Sequence, residues 1–269
     1  MKSLLKRLFQ LAYPAIYGQK MLFRNDFLKL VSAQAGSFLE IGPFTNPFLR
    51  GPNVAYFDVL DRTGLLKRAQ LVNYPIADVN AVPEIDFVSP IGDLSIIKRV
   101  FNTLFSSHCV EHQPDLIKHL QQVSALLTSE GRYFLIIPDK RYCHDALLPE
   151  SSIASVLEAH HQNRKIHTMK SVIEHQALTT HNDARRHWLG DHGKLSETAK
   201  KAESAMNAFV KADGEYMDVH AWQFTPQSFS EIIHILNLTN YIDFVVEQIY
   251  PTPVATLEFY AVLKKRNKS

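Results

Sequence analysis

DFVVEQIYPTPVATLEFYAVL, residues 243–263, decides the architecture. It holds two apolar stretches of strand composition, Asp243–Tyr250 and Thr256–Leu263, joined only by Pro251–Ala255. A parallel crossover needs about a dozen residues or more, so these strands are expected to be antiparallel neighbours. Upstream, Thr225-Pro226 is a good cap and first-turn pair for a helix running through Leu236. Tyr133–Ile137 reads as a strand, with Gly131 turning into it and Pro138 ending it. Phe101–Ser106, Val54–Leu60 and Ser37–Ile41 read the same way, and Ile85–Ser89 is a weaker candidate. Between the strands at 101 and 133, Leu116, Leu120, Val123 and Leu127 recur at helical spacing, with Pro114 near the helix start. Strands alternating with helices predict an α/β fold whose mostly parallel sheet ends in an antiparallel hairpin.

The composition agrees. The 269 residues are 46% hydrophobic and 21% charged, ordinary values that exclude a disordered, collagen-like or coiled-coil chain. No run approaches the roughly 18 apolar residues of a membrane-spanning helix. Lys+Arg at 29 against Asp+Glu at 27 gives no electrostatic case for nucleic acid. Cys109 and Cys143 stand far apart without a CxxC partner, which argues against a disulfide framework and points to a reducing, cytoplasmic setting. The expected organisation is a single domain. Residues 1–35 form an N-terminal helical cap, 36–142 the ligand-binding core, 143–218 a helical insertion, and 219–265 the returning helix and hairpin. The segment Met1–Leu30 carries six basic residues against Asp26 alone. Its Leu4, Leu5, Leu8 and Leu11 either pack on the domain body or, through residues 1–20, touch an anionic lipid surface. No small-residue cleavage site closes it, so a signal peptide is not expected.

In an open α/β sheet, ligands sit beyond the carboxyl ends of the strands where the strand order reverses. After the first strand comes Glu40-Ile41-Gly42-Pro43, and Asp58 ends the second strand, at the distance that suits a carboxylate accepting from ribose hydroxyls. Gly92-Asp93-Leu94 follows the third. FNTLFSSHCVEHQPD (101–115) then runs from strand into helix. With IPDKRY (137–142), it resembles the class I S-adenosylmethionine-dependent methyltransferases of the small-molecule type. IPDKRY together with DVHAWQFTP (218–226) resembles a branch of them associated with bacterial glycan (polysaccharide) biosynthesis. The resemblance covers about residues 36–140 and 216–265. It implies a Rossmann-like seven-stranded sheet, S-adenosylmethionine as cofactor, and methylation of an oxygen on a sugar or glycan intermediate. It places Glu40, Gly42, Pro43, Asp58, Asp93, Leu94 and Ser107 at the cofactor, with Asp86 a rival to Asp93. Two features depart from the family pattern: Asn102 stands where an Asp is common, and the crossover after Gly42 is short and carries Pro47 and Pro52.

A sugar hydroxyl is a poor nucleophile, so a general base is expected, and histidine suits the role. His108, just after the fourth strand, and His220, near Asp218, are the candidates. Glu111 and His112 begin the following helix, where a structural role is at least as natural. Asp139, Lys140 and Arg141 follow the fifth strand, and the basic pair suits an anionic acceptor group. Nine of the 13 histidines fall between Cys143 and His220. Within that stretch there is no HxxxH or HExxH spacing and no cysteine to assist, so no metal is expected. The expectation is a polar lid facing a hydroxyl-rich acceptor. Competing readings are a methyltransferase for a lipid or quinone-like acceptor and a non-catalytic binding module of the same fold. An RNA methyltransferase would need a basic, aromatic groove that the sequence lacks.

Overall fold

A computed structural model describes residues 21–266; the basic stretch at 1–20 lies outside the described residues. The chain forms one seven-stranded sheet in the order β3-β2-β1-β4-β5-β7-β6. The strands are β1 (Phe38–Ile41), β2 (Val54–Asp58), β3 (Phe87–Val88), β4 (Phe101–Ser107), β5 (Leu127–Pro138), β6 (Phe244–Tyr250) and β7 (Glu258–Lys265). β1 pairs in parallel with β2 and β4, β2 with β3, and β4 with β5. β7 inserts antiparallel between β5 and β6, and the hairpin link, residues 251–257, is too short for a parallel crossover.

Eight α-helices accompany the strands among the described residues: α1 (Arg24–Ser32), α2 (Arg62–Leu71), α3 (Leu116–Ala125), α4 (Ile153–His161), α5 (Met169–Ala177), α6 (Ala184–Trp188), α7 (Thr198–Ala212) and α8 (Pro226–Leu238). Alternation along the strands divides the core in two. Tyr133, Leu135 and Ile137 of β5 join Leu120 and Val123 of α3, Val156 of α4 and Phe229 and Ile233 of α8 on one face. Phe134 and Ile136 point the other way, against Phe27 and Val31 of α1. Phe27 stacks on Tyr260 of β7 with ring centroids 4.8 Å apart.

Three details differ from the sequence reading. Leu127 opens β5 instead of closing the helix before it, and the β4–β5 register shifts between the pairs at Phe101 and Thr103. Gly131 sits within that irregular stretch because a Cβ there would lie 2.8 Å from a Leu127 methyl and 3.1 Å from the Asn102 carbonyl oxygen. Helix α2 was not foreseen: its apolar side is narrow, only Leu65 and Ala69 being buried, so it gives little periodic signal. The crossover from β1 to β2 holds no helix. Residues 143–218 carry α4 to α7; α4 joins the main core, while Val172 of α5, Ala205 of α7 and Val219 form a small satellite core.

The start of α8 matches the Thr225-Pro226 reading. Thr225 Oγ1 accepts the Ser228 N–H at 3.1 Å, and Ser228 Oγ accepts the Thr225 N–H at 2.9 Å, a reciprocal cap. Thr225→Ala should cost about 1 kcal/mol and lower the melting temperature by about 2–4 °C. Thermal melts of the two proteins measure this, and an unchanged midpoint would show that the cap contributes nothing.

Candidate active site

Strand order reverses between β1 and β4, and a cleft of about 640 Å³ opens there, beyond the carboxyl ends of β1, β2 and β4. Glu40, Gly42, Pro43, Asp58, Ser107 and His108 all line it. Gly42 turns the chain out of β1 at φ +70°, a left-handed conformation that glycine adopts freely. A Cβ there would find ordinary contact distances, 3.7 Å from the Cys109 sulfur, so the requirement is conformational and not one of space.

The two strand-end carboxylates hold the helix-free crossover. Glu40 accepts the Phe48 and Leu49 N–H groups at 2.9 and 2.8 Å. Burial pushes its pKa up to about 7 despite those bonds. Asp58 accepts from the Phe44 N–H at 3.2 Å and its neighbour Val59 at 2.7 Å, and burial pushes it up to about 6.

His108 lies at φ +52°, directly after β4. Its Nε2 is 2.8 Å from Glu258 Oε1 and its Nδ1 is 3.6 Å from Glu111 Oε1. Burial favours the neutral ring, but the Glu258 hydrogen bond and the charges of Glu111 and Glu258 outweigh it and raise the pKa. Glu258 also pairs with Arg24, whose guanidinium donates to Ser107 Oγ at 3.1 Å. Across the cleft, Asp218 pairs with Arg68 at 2.6 Å and lies 3.0 Å from His112 Nδ1, outside hydrogen-bond alignment. Against the pull of desolvation, His112 and Arg68 hold the Asp218 carboxyl well below the usual carboxylate range.

Other expected site residues are not brought to this cleft. Asp93 caps the short turn at Leu94–Ile96 and accepts from the Gln122 amide at 2.5 Å, while Leu94 is fully buried in the core. The rival Asp86 accepts the Tyr56 N–H at 2.8 Å. Asp139 is fully buried and engaged by the Arg141 guanidinium at 2.9 and 2.6 Å and by the Thr252 hydroxyl at 2.6 Å. Lys140 is buried and donates to the Ala146 carbonyl at 3.1 Å. Lys140 is thus engaged inside the fold, while Arg141, paired with Asp139, stays exposed to solvent. His220 is buried behind His112, their ring centroids 4.7 Å apart, and is bound to Asp145 at 2.6 Å; Asp218 lies beside His112 instead, 3.0 Å from its Nδ1. No histidine from His144 to His192 lines the cleft.

Arg24, Arg68, Tyr216 and Glu258 line it without having been singled out. For Glu258 a signal existed. An antiparallel strand begins at the edge where its parallel neighbours end, and Glu258 pairs with Pro138. The first residue of β7 therefore belongs to the ligand edge.

The raised carboxyls give a pH test with a definite sign. Each keeps its proton in the folded chain at pH values where the unfolded chain has lost it. Its contribution to stability is full below its ordinary pKa and is lost as pH rises through the folded value. The windows run from 4.5 to about 7 for Glu40 and from 3.8 to about 6 for Asp58. Carboxyl carbon NMR should find both midpoints displaced upward; a Glu40 midpoint below about pH 5 would contradict the burial argument.

No family model matches the chain, and no curated protein matches its sequence. Solved structures resemble it. The DhpI–SAH complex is 13% identical with a TM-score of 0.45, over 98% of this chain and 95% of that one. An S-adenosylmethionine-dependent methyltransferase from Clostridium acetobutylicum is 8% identical with a TM-score of 0.44, over 98% and 99%. For mitomycin 7-O-methyltransferase MmcR the values are 9% and 0.41, over 90% of this chain and 53% of that one, so the chain spans about half its length. At TM-scores below 0.5 these likenesses add nothing to the strand order itself.

Proposed function

We infer that this chain is an S-adenosylmethionine-dependent methyltransferase acting on an oxygen of a sugar or glycan intermediate, with His108 as the base. One observation carries the reading: at the reversal of strand order, a single cleft joins a left-handed glycine turn after β1, a carboxylate ending β2 and a histidine directly after β4.

The residues fit the cofactor. The cleft volume lies within the range of small-molecule and cofactor sites, about 300–1,000 Å³. Asp58 uses its oxygens on two backbone N–H groups, and each oxygen retains a lone pair for a ribose hydroxyl. Gly42 lets the backbone approach without a Cβ, and Asp58 ends β2 beside it, while Glu258 and Asp218 in the lining are paired with Arg24 and Arg68. When bound, the cofactor supplies an electrophilic methyl group, so positioning of the acceptor is a large part of the catalysis.

His108 faces the same cleft, oriented by Glu258, and in its neutral form takes a proton from an acceptor hydroxyl. Because the neighbouring carboxylates favour its protonated form, its basic form accumulates only as pH rises through the raised pKa. His220, set back from the cleft, is better placed to support His112 than to touch an acceptor. The sugar or glycan acceptor rests on the resemblance of residues 137–142 and 218–226.

Calorimetry with S-adenosylmethionine tests the cofactor: no binding at millimolar concentration would sink the enzyme reading. Asp58→Ala should weaken affinity at least about tenfold, since removing one acceptor leaves ribose hydroxyls unpaired. Once an acceptor is found, His108→Ala should lower turnover about 10²–10⁴-fold and flatten the acid limb of the pH profile. Full activity in that variant removes the proposed base.

A further inference from the structure

Behind the cleft wall lies a second constellation that methyl transfer does not use. His144 and Asp145 follow β5, His175 sits on α5, and His220 stands where the insertion returns to the core. Each offers one ligand atom, and these atoms all lie within 4.8 Å of one another. Glu111, His112 and His220 form a second set that meets the same criterion, so His220 belongs to both.

Hydrogen bonding among these groups is incomplete. His220 Nδ1 is satisfied by Asp145 Oδ2 at 2.6 Å, and the backbone N–H of His220 donates to His175 Nδ1 at 3.3 Å. The remaining Asp145 oxygen and His144 Nε2 lie 3.3 Å apart, yet neither makes a hydrogen bond among the described residues. Glu111 is wholly buried, and neither of its carboxyl oxygens accepts a hydrogen bond. Its nearest cationic partners, His108 and His112, stand 3.6 and 3.8 Å away. A buried carboxyl without partners leaves its desolvation uncompensated, at a cost of about 1–3 kcal/mol or more. Glu111 and the second oxygen of Asp145 thus present buried, unpaired acceptors beside imidazoles, an arrangement suited to a cation.

We propose that His144, Asp145, His175 and His220 bind a zinc ion that staples the helical insertion to the sheet core. Three imidazole nitrogens and one carboxylate oxygen are a preferred donor set for this borderline cation. Zinc–nitrogen bonds of about 2.0–2.1 Å place tetrahedral ligands about 3.4 Å apart, so the present spacing closes on an ion with small side-chain movements. Four protein ligands leave no open position, which makes the site structural. Asp145 and three neutral imidazoles leave the ion one positive charge in excess, and Glu111, beside His220, is placed to offset it. Linear spacing hides the site because its ligands come from three separated segments. The proposal is independent of the methyl-transfer reading.

The test is elemental analysis of the full chain without a polyhistidine tag, purified without chelators. About one zinc per chain is expected, falling below about a tenth in His144→Ala and His175→Ala. His234→Ala, on the exposed side of α8, should keep it. A chelator should lower the melting temperature of the wild-type chain, and added zinc should restore it. Cobalt titrated into the metal-free wild-type chain should give the intense visible absorption of a tetrahedral site; this arm stands even if a variant fails to fold. The proposal is overturned if the wild-type chain carries less than about a tenth of an equivalent and gains no thermal stability from added zinc. Full zinc content in both alanine variants overturns it equally.

Discussion

Reversal of strand order between β1 and β4 is the constraint on which the rest depends. Connections leave this point toward opposite edges of the sheet, so the carboxyl ends of β1 and β4 are not covered by one continuous crossover. The crevice is a product of connectivity before any side chain is chosen. Gly42 then opens its floor, Asp58 and Glu40 hold the crossover that walls it, and His108 projects from the neighbouring strand end.

The antiparallel β7 adds a contribution that a wholly parallel sheet could not make at this edge. Its first residue, Glu258, meets the carboxyl ends of the parallel strands, where it holds both His108 and Arg24. Fixing the sheet and orienting a cleft histidine are thus two results of one strand direction. Arg24 extends the link to α1, whose Phe27 packs on the same strand through Tyr260. Fold and site share residues here, so damage to the C-terminal hairpin would reach the cleft.

Much of this was legible in the sequence because it rests on local chemistry. The short link after Tyr250 dictated the hairpin, Thr225-Pro226 marked the start of α8, and the strand-end positions of Gly42, Asp58 and His108 followed from the order of elements. What was illegible depends on partners distant in sequence. Nothing local signals that Lys140 donates to the Ala146 carbonyl or that Arg141 pairs with a buried Asp139. The sequence does not show that Asp93 caps the turn at Leu94–Ile96 and accepts from Gln122. The histidines gave the largest revision. Their number suggested a lid over the cleft, whereas His144, His175 and His220 converge behind it with Asp145. No periodicity within one segment encodes that meeting.

The crevice at β1 and β4 is the proposed cofactor site. The most direct measurement is a crystal structure of the chain with S-adenosylmethionine or its demethylated product. The ribose should lie on Asp58, the backbone at Gly42 against the ligand, and His108 should face the space beside the sulfur. A cofactor bound elsewhere on the molecule, or a ribose held by other residues while Asp58 keeps only its backbone partners, would contradict it.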